Sequence, residues 1–245
     1  MEDAYIPFCG TPPAPADLWG RWLFDPLLMA GLAAFALVLV WKARAPRAAV
    51  AGWVLVALLF VSPLCAASMA LFSARVAQHV LLTLVAAPLL ALAAPAPVRM
   101  VMPAAIGFWL LFWGWHAPLP YAATLGSDLI YWAMHLSLLG AAWVLWSAIF
   151  RVHASQPQQA LFGLALTAAQ MSLLSALLVF STAVWHGWHQ LTVAPYGISA
   201  LADQQLAGAV MWSAGGALML AVVALLVRSV LRGGEPAMTR IEGKT

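Results

Sequence analysis

Charge is what this sequence most lacks. Asp, Glu, Lys and Arg together make up 8% of its 245 residues, against 64% apolar residues. The mean hydropathy is +0.93. A soluble domain of this size would have too little polar surface to cover itself, so a soluble fold is excluded. Cysteine is almost absent: Cys9 and Cys65 are too few for a disulfide framework, and only a single bridge stays open. Lysine occurs twice, as Lys42 and Lys244, both outside the apolar runs, which excludes a retinal Schiff base within them. The net charge of +3 is too small and too dispersed for a nucleic-acid surface. No nucleophile–base pairing or hydrolase motif is present, which argues against an enzyme. Internal repeats and mid-span charges are also missing, which argues against a transporter. The acidic start, Met1-Glu2-Asp3, lacks the basic n-region of a signal peptide, so the first span is expected to stay uncleaved.

Long apolar runs are what the sequence has. Seven of them, near 24–41, 50–71, 75–94, 103–119, 129–150, 159–183 and 205–227, each have about the 17–25 residues a helix needs to cross a bilayer. The expected fold is therefore all-α: a polytopic seven-helix transmembrane bundle over 24–227, an extracytoplasmic segment over 1–23 and a polar cytoplasmic tail over 228–245. The Cys9-Gly10-Thr11-Pro12-Pro13-Ala14-Pro15 stretch reads as a stiff, extended outer segment. Lys42, Arg44, Arg47, Arg99, Arg151, Arg228, Arg232, Arg240 and Lys244 all fall on one side, and only Arg21 and Arg75 on the other. The positive-inside rule then puts the N-terminus outside and the C-terminus in the cytoplasm.

This topology gathers five of the six histidines, His79, His116, His135, His186 and His189, near the outer face and leaves His153 inside. His79, His116 and His135 occupy three consecutive spans at similar depth. Three imidazoles are the minimum for a metal site with an open position, and a charge-capable group in hydrocarbon is costly without a function. The bland alternative is that each bonds a neighbouring helix. Cys65, Met69, Met134 and Met211 lie in the outer halves of their spans, and soft ligands beside imidazole favour copper(I). His186 and His189, three residues apart in the longest outer loop, are weaker candidates; Trp185 and Trp188 anchoring a wet loop explains them as well. Asp203 and Asp128 read first as helix caps, and Gln204 as a group that could orient an imidazole.

Several segments together resemble one family. They are Phe8-Cys9-Gly10-Thr11-Pro12-Pro13, Val61-Ser62-Pro63-Leu64, Phe72-Ser73-Ala74-Arg75-Val76-Ala77-Gln78-His79-Val80-Leu81-Leu82, Trp115-His116-Ala117-Pro118 with Tyr121, and Leu201-Ala202-Asp203-Gln204-Gln205-Leu206-Ala207-Gly208 with Met211-Trp212. From Tyr5 to Arg228 the chain resembles the CtaG family of bacterial haem–copper cytochrome c oxidase assembly factors. The resemblance implies an inner-membrane protein that binds or delivers copper, with oxidase subunits or other copper assembly factors as partners. It carries polar motif positions onto Gln78, His79, His116, His135, Asp203 and Gln204; Asp128 and Met211 are accessory candidates. His186 and His189 lie outside that pattern. The competing reading is a haem-binding membrane redox protein that uses two of the helix histidines as axial ligands.

Overall fold

The computed structural model describes residues 5–233. The acidic first residues and the polar tail beyond Gly233 lie outside them. Among the described residues all regular structure is helical: α1 Pro26–Lys42, α2 Pro46–Val61, α3 Pro63–Ala70, α4 Phe72–Leu81, a π-helical turn Leu82–Ala86, α5 Ala87–Ala93, α6 Val101–His116, α7 Pro118–Leu125, α8 Asp128–Val152, α9 Pro157–Phe180, α10 Trp188–Thr192 and α11 Ala200–Gly233.

Each apolar run of the sequence contains helix, but prolines punctuate the runs and shorten the pieces. Pro26, Pro46, Pro63, Pro118 and Pro157 all open helices, where their missing N–H costs nothing. Four helical stretches are long and apolar enough to cross a membrane: Phe72–Ala93, Asp128–Val152, Pro157–Phe180 and Ala200–Ser229. The expected span at 50–71 is α2 and α3 bent by 50°, a fifth crossing if the pair counts as one. Ser62, extended before Pro63 as a pre-proline residue must be, makes that bend, and its hydroxyl accepts from Leu64 N. By length and composition, then, four to five spans stand among the described residues. Helices α1 and α6, with 17 and 16 residues, are shorter. Leu27, Trp41, Leu110, Leu129, Phe162, Phe180 and Leu220 point outward, an apolar exterior suited to lipid.

Several boundaries differ from the sequence reading. The last helix begins at Ala200 and runs to Gly233, past the expected tail boundary at 228. Phe72-Ser73-Ala74, the gap between the second and third expected runs, opens α4, and the break before it is Leu71 alone, which is extended. The proline-rich arm is not a free extended strand. It turns at Gly10, where φ is +84° and Gly10 N donates to Pro7 O, and then lies across the end of the bundle. The Tyr5 hydroxyl donates to Asp128, Phe8 stacks on Tyr131 and meets Trp132 edge-on, Tyr196 donates to Pro13 O, and Cys9 is disulfide-bonded to Cys65.

The bundle is knit by α11 on α9 and α4, α8 on α6 and α5, and α2 on α5. Helix α4, wedged among these neighbours, carries the polar core: Ser73, Arg75, Gln78 and His79 are all buried.

Candidate metal centre

Three of the predicted side chains come together. His79 on α4 packs edge-on against His135 of α8, ring centroids 5.0 Å apart, and against His116 at the end of α6, 6.0 Å apart. Local structure fixes the outer two. His116 Nδ1 lies 2.6 Å from Phe112 O and His135 Nδ1 lies 2.9 Å from Tyr131 O, each the carbonyl one turn back. Protons held at both Nδ1 atoms leave the Nε2 lone pairs free, the tautomer that ligates metals. Neither nitrogen of His79 has a hydrogen-bond partner among the described residues, and His135 Nε2 has none either. A buried unpartnered polar group costs about 1–3 kcal/mol, so these rings are suited to a ligand. A small cavity of about 10 Å³ adjoins His79 and His116, lined also by Thr83, Phe112, Met171 and Met211; His135 does not line it. That is room for a single atom-sized occupant. Among the described residues no three His, Cys, Asp or Glu side chains form a ready-made metal cage.

Helix geometry supports the position of His79. Pro88 lacks the N–H that would bond back one turn, and the widened π turn just before it absorbs the mismatch. Thr83 donates to His79 O, and Trp146 donates to Thr83 O, which pins α4 to α8 just below the histidines.

The accessory residues take other roles. Asp203 does not cap its own helix: Ser199 does, accepting from Ala202 N. Asp203 reaches across to α4, accepting from Phe72 N at 2.6 Å, Ser73 N at 3.2 Å and the Ser73 hydroxyl. Gln204 touches no imidazole; it accepts from Trp185 N and donates to Ala183 O, fastening the loop before α10. Gln78 donates to Leu59 O, tying α4 to α2. Asp128 binds Tyr5, while Ser127 caps α8. Met211 alone of the accessory set lines the cavity. Cys65 joins Cys9 in the disulfide and so is not a free thiolate ligand.

The His186/His189 pair is a correction to the reading of a wet loop. The two are 4% and 1% exposed, buried under the loop's own short helix. His189 donates from Nδ1 to Ala70 O at 3.2 Å and accepts at Nε2 from Tyr121 at 2.6 Å. Trp188 and Thr192 donate to Met69 O and Ala70 O. Helix α10 therefore satisfies the carbonyls that the end of α3 leaves open, and the loop is folded because of it. Burial pushes His189 down to about 4, partly offset by its bond to Ala70. Burial also pushes His186 down to about 3, with repulsion from His116, His189 and Arg75 adding to it. Both are neutral at ordinary pH.

Sequence reasoning placed Arg75 at the outer surface, yet it is fully buried. Its guanidinium carbon sits 5.5 Å from the ring centroids of Tyr121 and Tyr131, Nε donates to Ser68 O, and Nη2 contacts Met69 Sδ. The cation–π pair explains how a charge is tolerated there. The spacing to His79, one helical turn, was the available signal.

A family model for cytochrome c oxidase caa3 assembly factors matches residues 32–105 and 100–233, nearly all of the helical region. The chain belongs to that family, Caa3_CtaG. The matched stretches include His79, His116, His135, Asp203 and Gln204 and leave out the Cys9 arm. No curated protein and no solved structure matches the chain. Membership makes the protein a cytochrome c oxidase assembly factor, and its helices are those of a multi-pass membrane protein.

Proposed function

We propose that this assembly factor holds a copper(I) ion as cargo at His79, His116 and His135 and passes it to the oxidase during metal-centre maturation. The observation that carries the reading is the meeting of three buried imidazoles from three helices, of which both His79 nitrogens and His135 Nε2 have no hydrogen-bond partner among the described residues. Their neutral form is the ligating form, and Met211 and Met171 beside the cavity supply the soft lining copper(I) prefers over hard cations. Bonds of about 2 Å would draw the rings inward from their present spacing. The role is binding and transfer rather than catalysis.

In this reading the chain crosses the bacterial inner membrane seven times, with α1 and α6 as short crossings and the N-terminus on the periplasmic side. The arm, the disulfide and α10 share one end of the bundle. Lys42, Arg44, Arg99 and Arg151 share the other, where Arg44 N donates to Ala93 O and Arg151 donates to Ala96 O. A buried haem is disfavoured: rings 5.0 Å apart beside a cavity of about 10 Å³ leave no gap for a macrocycle.

The test is elemental analysis and a visible spectrum of protein purified from copper-replete cells. One copper per chain, lost in His79→Ala, with no Soret band, is the expected result. A Soret band, or copper unaffected by His79→Ala, would overturn the assignment.

A further inference from the structure

His186 is the one member of the outer pair with nothing to do in the fold. His189 has both nitrogens engaged, whereas His186 is 4% exposed and neither of its nitrogens has a hydrogen-bond partner among the described residues. Its ring is tilted between two aromatics, 4.1 Å from Tyr121 and 4.5 Å from Phe72 by centroids. These two contacts fix its depth. Phe72 opens α4, and His79 follows seven residues later on the same helix, roughly 10 Å deeper into the bundle. Tyr121 lies five residues beyond His116, across the Ala117 break between α6 and α7. His186 thus stands one tier outward of the triad, against the first turn of the helix that carries His79 and the short helix that follows His116.

An imidazole placed there has a chemical use that its neighbour lacks. His189 spends its nitrogens on Ala70 O and Tyr121, which holds α10 and hence the short turn bearing His186 in place. The remaining ring offers an unshared lone pair between the outer face and the deeper cluster.

We infer that His186 is a relay ligand: it takes copper(I) arriving at the outer face and hands it inward to His116 and His79, while His189 only positions it. This rests on the triad being the copper site. The relay changes how fast the triad fills and leaves how much it holds unchanged, because the resident ligands are elsewhere.

Full-length protein in lipid nanodiscs, loaded anaerobically from the copper(I)–bicinchoninate complex, gives both rate and final occupancy from the loss of the complex's absorbance. His186→Phe keeps the aromatic packing on Tyr121 and Phe72 but has no lone pair. His186→Met gives up the ring and restores a soft donor. The expected result is wild-type final occupancy in both, with loading slowed about tenfold or more in the Phe variant and near wild-type in the Met variant. Equal rates in all three proteins, or a Met variant as slow as the Phe variant, would overturn the relay while His79→Ala still abolishes occupancy. Loss of final occupancy in both His186 variants would overturn it too, by making His186 a resident ligand. Wild-type protein that takes no copper, or an occupancy indifferent to His79→Ala, would instead sink the triad reading and the relay with it.

Discussion

At the residue scale, the most consequential side chain outside the histidines is Asp203, whose carboxylate caps α4 across 131 positions of sequence. The first turn of any helix exposes unpaired N–H groups, and a carboxylate there satisfies them and complements the helix dipole. Asp203→Ala should therefore lower stability by about 1–3 kcal/mol, read as an earlier thermal unfolding midpoint in detergent. Asp203→Asn, which keeps one acceptor oxygen, should lose less. An unchanged midpoint for Asp203→Ala would mean water replaces the cap. The aspartate was legible in the sequence as a cap, but not as the cap of α4, since nothing in local spacing encodes a contact so distant. His189 offers a pH prediction at the same scale. Its value in the folded loop, about 4, lies below the ordinary 6.5, so the opened loop binds the proton first. The stabilisation is complete above pH 6.5 and fades as pH falls toward 4, with His186, at about 3, acting in the same direction. Hydrogen exchange over residues 185–196, corrected for intrinsic rates, should show protection dropping through that window. His189→Gln should weaken the pH dependence. Burial of this pair was not legible, because two imidazoles between tryptophans look identical in sequence whether wet or packed.

At the scale of elements, the helices were readable because apolar runs of this length have few alternatives in a bilayer. Their breaks were less so. The π turn at Leu82–Ala86 and the 50° bend between α2 and α3 come from single prolines inside continuous apolar sequence, where hydropathy is blind. Gly208 lies on the face of α11 that packs against α9. A Cβ at Gly208 would meet Ser175 O and Val179 Cγ2 at 2.8 Å and Leu178 Cβ at 3.0 Å. The carbonyl belongs to the α9 backbone and cannot swing away, so Gly208→Ala must push α11 off α9 and should cost about 1–3 kcal/mol. Gly216, one helix face away, has nothing within 4 Å of an added Cβ. Gly216→Ala should be neutral or slightly stabilising, since alanine is the better helix former. Unfolding midpoints measured side by side for the two variants check the contrast. Equal midpoints would show that α9 and α11 slide past one another freely.

At the scale of the whole molecule, the two ends of the bundle differ chemically, and the proposed sidedness rests on the difference. One end carries Lys42, Arg44, Arg99 and Arg151 on helix ends and loops, tied by the Arg44–Ala93 and Arg151–Ala96 bonds. The other carries the Cys9–Cys65 disulfide, which fastens the arm over Tyr131, the residue whose carbonyl holds His135. Disulfides persist in oxidising compartments, and cations are retained on the cytoplasmic side. These are independent forces, one redox and one electrostatic, and both favour the orientation proposed above. Sequence alone supplied the cation half of this argument; the cysteine half needed the fold, because Cys9 and Cys65 are 56 residues apart. Reporter fusions after Arg47 and at the C-terminus should therefore both read cytoplasmic. In spheroplasts, a membrane-impermeant maleimide should label neither cysteine until a reductant is added, and both afterwards. Labelling without reductant would remove the disulfide, and a periplasmic signal at either fusion would reverse the bundle. In a reversed bundle the arm, α10 and His186 would face the cytoplasm, so copper would have to reach the triad from inside the cell.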